Sequence, residues 1–251
     1  MKLKLESLEQ SYPVAQIRRQ VIDQITLTVE EGTFISIIGP SGCGKSTLFN
    51  IISGLERPTA GRVIKDGREI TGETGYVSYM LQKDCLFPWR TVLENAVLSA
   101  EVAGENKRKA LERAEELLSV FGLKGYANEY PARLSGGMRQ RAALLRTVMA
   151  NQDLWLLDEP MGSLDALTRE RMQDWLLGIL EQFPKTVLFI THSIDEAVYL
   201  SDRVVVFSPR PARIKDELTI HLPRPRKREL MTSESFLQAK RWLWEKLHEE
   251  E

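Results

Sequence analysis

The chain has 251 residues, of which 43% are hydrophobic and 27% are charged. Its 34 Lys and Arg residues nearly balance its 35 Asp and Glu residues, which gives a formal net charge of −1. This composition excludes an intrinsically disordered chain, a collagen-like chain and a disulfide-rich scaffold. Proteins that bind polyanions are usually strongly basic, so no nucleic-acid partner is expected.

The apolar segments are short. No stretch approaches the roughly 18 to 20 apolar residues that cross a bilayer. The first residues, Met1–Glu6, lack the apolar core of a signal peptide, and none is expected. The two cysteines, Cys43 and Cys85, match no metal-binding or disulfide pattern. They are predicted to be free thiols in a reducing cytosol.

The N-terminal region alternates apolar and polar residues, first around Leu3, Leu5 and Leu8 and again over Ile25–Val29. Alternation predicts half-buried strands, which we expect to form an antiparallel β element. The segment Thr33–Ile38 is nearly all apolar and β-branched, which is typical of a strand buried on both faces.

A glycine-rich loop follows this strand and fits the pattern G-x-x-x-x-G-K-[ST], the phosphate-binding loop. Glycines let successive backbone N–H groups approach phosphate oxygens, and the helix that follows adds its positive end. Lys45 is predicted to bridge the β and γ phosphates, and Ser46 to ligate Mg²⁺. The loop alone does not choose between an ATPase, a GTPase and a kinase. The predicted nucleotide contacts here are Gly39, Pro40, Ser41, Gly42, Cys43, Gly44, Lys45, Ser46 and Thr47.

Helices and strands alternate in the rest of the chain. Helical spacing over Asn106–Gly122 and Ser135–Ala150 predicts a mostly helical insertion between about residues 87 and 150. The following segments predict strands and helices in turn: Leu154–Leu157, Leu167–Leu180, Thr186–Thr191, Asp195–Leu200 and Arg203–Phe207. Such alternation implies a parallel sheet with crossover helices. The predicted fold class is therefore α/β, a P-loop NTPase core with a mostly parallel sheet, the N-terminal antiparallel β element and the helical insertion.

Two further segments carry chemistry. The apolar run Leu154–Leu157 ends in Asp158 and Glu159, at the carboxyl edge of the predicted sheet, where ligands bind. Asp158 can hold Mg²⁺, and Glu159 can accept a proton from the attacking water. Ser135 is a good N-cap, followed by Gly136 and Gly137, so this helix start is a second anion-binding element.

The order of these motifs resembles the nucleotide-binding subunit of an ABC transporter. The resemblance rests on the phosphate loop, Gln82, Leu134–Met138, the pair Asp158-Glu159, Ser163–Asp165 and His192, and it spans about residues 3 to 207. The segment Leu134–Met138 departs from the family by ending in methionine rather than the commoner glutamine. A GTPase switch would need D-x-x-G and N-K-x-D elements, which the chain lacks.

The resemblance implies a role for each matching residue. Gln82 would contact Mg²⁺ or the lytic water, and His192 the γ-phosphate. Ser135, Gly136 and Gly137 would reach the γ-phosphate of ATP bound to the other protomer. Asp165 would lie across the dimer interface, and Tyr12 would stack on adenine. The implied catalytic residues are Glu159, His192, Gln82 and Lys45, the implied metal ligands are Ser46, Gln82 and Asp158, and the implied cofactors are ATP and Mg²⁺.

The resemblance also implies partners. These are a second copy of the chain, transmembrane permease subunits and, indirectly, a solute-binding protein, with the chain on the cytoplasmic face of the cell membrane. The segment Leu86–Asn95 resembles the part of bacterial importer ATPases that receives a coupling helix of the permease. Its Phe87 and Trp89 would either line that docking groove or pack inside the helical insertion.

Other segments resemble particular groups of importers within this family. Tyr130–Arg133, Met138 and Leu222–Arg226 resemble the nitrate/sulfonate/taurine importer group, and thiamine-precursor importers are close relatives, so the solute stays open. The alternative function is a non-transport ABC ATPase that acts in DNA repair or translation. Repair types carry a long coiled coil, but Gln82 and Ser135 are only 53 positions apart (135 − 82), and the residues between them contain no heptad array.

The C-terminal region is predicted to be separate, with an ATPase domain over residues 1–222 and a basic linker and amphipathic helix over 223–251. The basic run Arg224–Arg228 is predicted to be a solvated linker, with contact to acidic lipid headgroups or the permease as the alternative. Ser233–Glu251 is predicted to form one amphipathic helix, which packs on the core or on a partner chain, or lies on a membrane surface. Its apolar members are Phe236, Leu237, Trp242, Leu243, Trp244 and Leu247.

Overall fold

The computed structural model describes residues 1–14 and 17–249; Glu250 and Glu251, at the end of the predicted C-terminal helix, lie outside the described residues. The strands are β1 Leu3–Val14, β2 Ile17–Val29, β3 Phe34–Ile38, β4 Ala60–Lys65, β5 Arg68–Glu69, β6 Ser78–Met80, β7 Leu154–Asp158, β8 Thr186–Ile190, β9 Arg203–Phe207 and β10 Ile214–Thr219. The α-helices are α1 Lys45–Ile52, α2 Val92–Ala96, α3 Leu98–Val102, α4 Lys107–Val120, α5 Gly136–Met149, α6 Ala166–Gln182, α7 Ile194–Leu200 and α8 Glu234–His248. In the described part of the chain, every helix is too short or too polar to cross a bilayer.

The chain divides into two compact units, one made of Met1–Val77 with Phe183–Glu251 and the other of Ser78–Gln182. In the first unit, β2, β1, β4 and β5 form an antiparallel sheet in that order. Its other strands lie in the order β10-β9-β3-β8, with β3 parallel to both β8 and β9. The predicted N-terminal antiparallel element and the mostly parallel core are therefore confirmed.

A bulge sets the inward-facing residues of β1. Leu3, Leu5 and Leu8 are all 0% exposed, although strict alternation would point Leu8 to the opposite face. Ser7 adopts φ of 46°, and the register between β1 and β2 shifts between Leu5 and Leu8. The extra residue turns Leu8 back toward the core, as β-bulges do.

The second unit combines a pair of parallel strands, β6 and β7, with helices α2 to α6. The predicted helices over Asn106–Gly122 and Ser135–Ala150 are α4 and α5, and each begins after a capping side chain. Asn106 accepts a hydrogen bond from the Lys109 amide at 3.2 Å, and Ser135 accepts one from the Met138 amide at 3.3 Å. The limits of the helical insertion and of the C-terminal domain stay predictions.

Strands β4, β5, β6 and β10 were not foreseen from the sequence. Only Val63 is buried in β4, no residue of β10 is fully buried, and β5 and β6 have only two and three residues. Strands that are very short or bury so few side chains produce no clear alternating pattern.

The C-terminal region corrects one prediction. Helix α8 packs against α7, β9 and β10, which agrees with the predicted packing on the core. It buries Phe236 and Leu243, while Leu237 and Trp244 are 51% and 55% exposed. The interpretation of Arg224–Arg228 as a solvated linker is wrong for Arg226, whose side chain is only 1% exposed, although Arg224 and Lys227 are exposed. A run of charged residues is predicted to be solvated when only the sequence is known, because the residues that contact it lie elsewhere in the chain.

We predict that Gly54→Ala lowers the free energy of unfolding by at least ~3 kcal/mol, because a Cβ there would lie 2.1 Å from the carbonyl oxygen of Glu73 at φ of +75°. Gly67→Ala is the matched control. It has φ of +80° and no atom within 4 Å of the added Cβ, so only the backbone strain of about 1 kcal/mol applies. Urea unfolding measures both changes, and equal losses would contradict the steric explanation.

Candidate active site

The phosphate loop leaves the buried strand β3 at Gly39 and enters α1 at Lys45. Gly42 and Gly44 have φ of 74° and 133°, which residues with a Cβ rarely adopt. A Cβ on Gly44 would also lie 3.1 Å from both Cγ1 and the carbonyl oxygen of Val21. The loop therefore requires glycine here for two reasons, its backbone angles and its contact with β2.

Lys45 is held by the loop that precedes it. Its Nζ atom donates hydrogen bonds to the carbonyl oxygens of Gly39 and Pro40, at 2.8 and 3.0 Å. The third donor of the ammonium lies 3.9 Å from Cys43 Sγ, and sulfur is a weak acceptor that a phosphate oxygen could replace. Ser46, the next residue, is exposed. Within the loop, burial raises the pKa of the Cys43 thiol, which keeps it protonated at neutral pH.

His192 follows the strand next to the phosphate loop. Ile37 of β3 pairs in parallel with Ile190 of β8, so the segments after both strands lie at one edge of this sheet. His192 is exposed between β8 and α7. The hydroxyl of Thr191 donates to Glu196 at 2.5 Å and accepts from the Ser193 amide at 3.0 Å, which holds the peptide on both sides of His192.

Tyr12 also belongs to the first unit and is half-buried near the end of β1. Burial, followed by interaction with Glu56, raises the pKa of its phenol, which also interacts with Thr47 at the start of α1. The predicted adenine-stacking residue therefore lies beside a predicted nucleotide contact.

The two carboxylates lie in the second unit, where β7 ends. Asp158 is the last residue of β7 and is 3% exposed. Glu159 follows with φ of 44°, a left-handed conformation that costs free energy in a residue with a side chain. The Gln82 Nε2 atom donates a hydrogen bond to Glu159 Oε2 at 3.2 Å. The structure thus brings together two residues that are far apart in the sequence and were predicted to act on one water.

Sequence reasoning missed Tyr79. Its phenol donates a long hydrogen bond of 3.5 Å to Asp158 Oδ2, and β6 pairs with β7 so that Tyr79 lies opposite Leu156. Burial, followed by the charge of Asp158, raises the pKa of Tyr79, so the phenol stays protonated. A polar aromatic residue three positions before Gln82 was the available signal.

The glycine-rich start of α5 packs beside the segment that carries Asp165. A Cβ on Gly136 would lie 3.6 Å from Leu164 Cδ2. A Cβ on Gly137 would lie 3.1 Å from Thr168 Cγ2. Asp165 Oδ1 accepts a hydrogen bond from the Thr168 amide at 3.0 Å, as a residue capping α6 does. Two predicted motifs are therefore neighbours in the second unit.

Comparison with known proteins identifies the family. The family model described as ABC transporter matches residues 22–162. The chain is 45% identical to an uncharacterized ABC transporter ATP-binding protein of Methanocaldococcus jannaschii, over 96% of this chain and 89% of that protein. It is 42% identical to the aliphatic sulfonates import ATP-binding protein SsuB of Bacillus cereus, over 88% and 86% of the two chains. It is also 42% identical to the taurine import ATP-binding protein TauB of Pseudomonas aeruginosa, over 89% and 85%.

A solved structure agrees with these matches. The dimeric structure of a post-hydrolysis state of the ATP-binding cassette MJ0796, bound to ADP and Pi, superimposes with a TM-score of 0.77 at 30% identity, covering 88% of this chain and all of that one. The relatives named here are transporter proteins, which favours transport over the alternative role in DNA repair or translation. A family model that matches over half of the chain, together with these relatives, shows that the chain belongs to the ABC transporter family, as an ATP-hydrolysing cassette of that family.

Proposed function

We propose that the chain powers solute import through a membrane permease, as a pair of copies that close when ATP binds and open after hydrolysis. The observation that carries this proposal is the presence of two glycine-lined helix starts in one chain. Only the first, at α1, has a lysine and a hydroxyl residue for the phosphates of a nucleotide. The similarity to sulfonate and taurine import ATP-binding proteins supports the direction of transport.

The second helix start, at α5, is suited to the γ-phosphate of a nucleotide held by the partner copy. Helix N-termini attract anions because their first amides lack partners within the helix. The Ser135 oxygen accepts from Met138, so its hydroxyl proton remains available for a phosphate oxygen. In this proposal ATP is bound by the phosphate loop, Thr47, Tyr12 and His192 of one copy, and by Ser135, Gly136 and Gly137 of the other. Asp165 would lie at the interface between the copies.

The predicted metal ligands suit magnesium. A serine hydroxyl, an amide oxygen and a carboxylate, from Ser46, Gln82 and Asp158, are the oxygen donors that Mg²⁺ prefers. Within residues 1–14 and 17–249 no cluster of three or more His, Cys, Asp and Glu side chains could hold a metal ion. Mg²⁺ is commonly held by one or two protein ligands together with phosphate oxygens and water. When bound, Mg²⁺ would neutralise charge on the phosphates.

Glu159 is the proposed general base for the attacking water. The contact with Gln82 helps to orient its carboxylate, and a carboxylate is the kind of group that accepts a proton from a water. Lys45 and His192 would stabilise negative charge on the γ-phosphate as the bond to the leaving ADP breaks. Loss of the γ-phosphate removes the charge that both copies bind, which provides the physical reason for the pair to open.

A stacked pair of aromatic rings, one of them exposed, forms the proposed docking surface for the permease. Phe87 and Trp89 stack with ring centroids 5.1 Å apart, and Trp89 is 70% exposed. Fully buried Asn95 holds the backbone beneath them, accepting from the Phe87 amide at 2.7 Å and donating to the Phe87 carbonyl at 3.2 Å. An exposed aromatic on a firmly held loop is typical of a residue that a partner covers. The proposal places the chain at the cytoplasmic face of a membrane, with a solute-binding protein as an indirect partner.

We predict that Glu159→Gln leaves ATP binding intact and slows ATP hydrolysis at least ~10²-fold, because glutamine keeps the shape of the side chain but accepts no proton. A filter-binding assay with radiolabelled ATP and a phosphate-release assay measure the two properties. Near-normal turnover in this variant would reject Glu159 as the base.

We predict that Gln82→Glu slows ATP hydrolysis more than Gln82→Ala does at neutral pH. The new carboxylate would stand where the amide now lies, 3.2 Å from Glu159 Oε2, and repulsion between like charges at that distance would displace the Glu159 side chain. Gln82→Ala is the control, since it removes the same contact without adding charge. Equal kcat values for the two variants in a phosphate-release assay would argue against this contact in the working enzyme.

We predict that Trp89→Ala abolishes most of the solute-stimulated ATPase activity of the complex reconstituted with its permease, while the basal activity of the isolated subunit is unchanged. The exposed Trp244 on α8 supplies the control Trp244→Ala, which should affect neither activity. Stimulation that survives in Trp89→Ala would locate the permease contact elsewhere.

A further inference from the structure

The C-terminal segment, defined as residues 222–249, contacts both ends of helix α7. This helix begins two residues after His192. Three of its side chains contact the last turn of α7 or the residues just beyond it, and a fourth contacts the first turn. These residues are Arg224, Arg226, Arg228 and Lys240.

Two arginines, Arg224 and Arg226, donate hydrogen bonds to backbone carbonyl oxygens at the C-terminal end of α7. The Arg224 guanidinium donates to the carbonyl oxygen of Leu200 at 3.1 Å, and that of Arg226 donates to the carbonyl oxygen of Ser201 at 2.7 Å. Ser201 is extended, with φ of −97°, so the helix lacks the left-handed glycine that often closes this end. The last carbonyls of a helix carry partial negative charge and need donors, which here come from residues more than twenty positions away.

Arg226 is an unusual residue to find in this place. Its side chain is 1% exposed, yet its Nε and Nη1 atoms make no hydrogen bond in the described part of the chain. Burial, followed by repulsion from Arg224, lowers the pKa of Arg226 to about 10, so it is still charged at neutral pH. A carboxylate oxygen of Asp202 lies 4.0 Å from Nη2, but burying a charge whose other donors are unused is still costly. The contact with Ser201 is the one hydrogen bond that this residue makes among the described residues.

Two more contacts fix the rest of the helix. The Arg228 guanidinium lies over the ring of Tyr199, 4.6 Å from its centroid. At the other end of α7, Lys240 of α8 pairs with Asp195 at 2.7 Å. A seven-residue helix is only about 10 Å long, so a shift at its C-terminal end moves its first turn as well.

The first turn of α7 in turn holds the peptide that carries His192. Glu196, which is 5% exposed, accepts from the Thr191 hydroxyl, and its own amide donates to the Ser193 hydroxyl at 3.3 Å. Both neighbours of His192 are therefore tied to a residue of α7. Contacts therefore lead from Arg226 through α7 to the two residues that flank His192, the histidine that is expected to meet the γ-phosphate.

We propose that the C-terminal segment is a positioning element of the ATPase, and that Arg226 is the positioning residue which, through α7, fixes the location of His192. This inference rests on the proposed role of His192 at the γ-phosphate. It gives the C-terminal segment a part in the rate of hydrolysis, separate from ATP binding, which the phosphate loop supplies. A misplacement of about 1 Å in a catalytic group can cost up to ~10²-fold in rate.

The test compares Arg226→Met with Arg226→Lys in the purified full-length chain. Methionine fills similar volume without a donor, and we expect it to lower kcat about tenfold while the Kd for ATP changes less than twofold. Lysine supplies the single donor that the Ser201 carbonyl uses, so it should restore most of the rate. Arg241→Met, the same change at an exposed position of α8, is the matched control and should have wild-type kcat.

A second background separates positioning from general destabilisation. In His192→Ala, which itself should be slow, adding Arg226→Met should reduce kcat no further, because the residue being positioned is gone. Lys240→Ala breaks a half-exposed ion pair without disturbing the core, and a roughly twofold loss of kcat is expected. Unchanged kcat in Arg226→Met, or an equal loss in the His192→Ala background, would overturn the inference and leave the proposed function in place. Wild-type hydrolysis by His192→Ala alone would instead remove the role of His192 from the proposed function.

Discussion

The interaction on which the site depends is the pair of hydrogen bonds from the Lys45 ammonium to the carbonyl oxygens of Gly39 and Pro40. These bonds require the loop to bend back over its own lysine, and only positive φ angles at Gly42 and Gly44 allow that path. The loop is also pressed against its surroundings, since a Cβ on Gly39 would lie 2.9 Å from Cβ of Phe207 in β9. Strands β9 and β2 thus each press against one glycine of the loop.

The second unit arranges its chemistry differently. Here the carboxylate Glu159 lies on strained backbone at the end of a fully buried strand, and the amide of Gln82 holds its side chain. Strain of this kind persists only where the neighbouring structure enforces it, and β7 with its tight packing does so. A side chain on Gly162 would approach the Glu159 carboxylate, since its Cβ would lie 3.4 Å from Oε2. The geometry around Glu159 therefore depends on a short strand, a glycine and one loop residue.

The C-terminal segment shows how buried charge can be used in a small helix. Polar atoms at a helix end can be satisfied by water, by a local turn or by distant side chains. In α7 distant side chains fill this role, although burying a guanidinium group costs free energy. Contacts of this kind make a short helix depend on chain that comes much later in the sequence. They also connect the C-terminal region to the segment that carries His192.

The sequence by itself determined the motifs whose chemistry is local: the glycines and lysine of the phosphate loop, the caps Asn106 and Ser135, and the buried strands that precede Gly39 and Asp158. The predictions for these motifs are correct because apolar runs, and hydrogen bonds between residues close in sequence, depend on residue type and spacing alone. Only the tertiary structure decided which distant groups meet. It paired Gln82 with Glu159, Tyr79 with Asp158 and Arg226 with Ser201, and it buried Arg226 within a basic run that looks solvated in isolation. The reason is physical: the partner of a buried polar group is chosen by chain folding over long separations, and no local pattern records that choice.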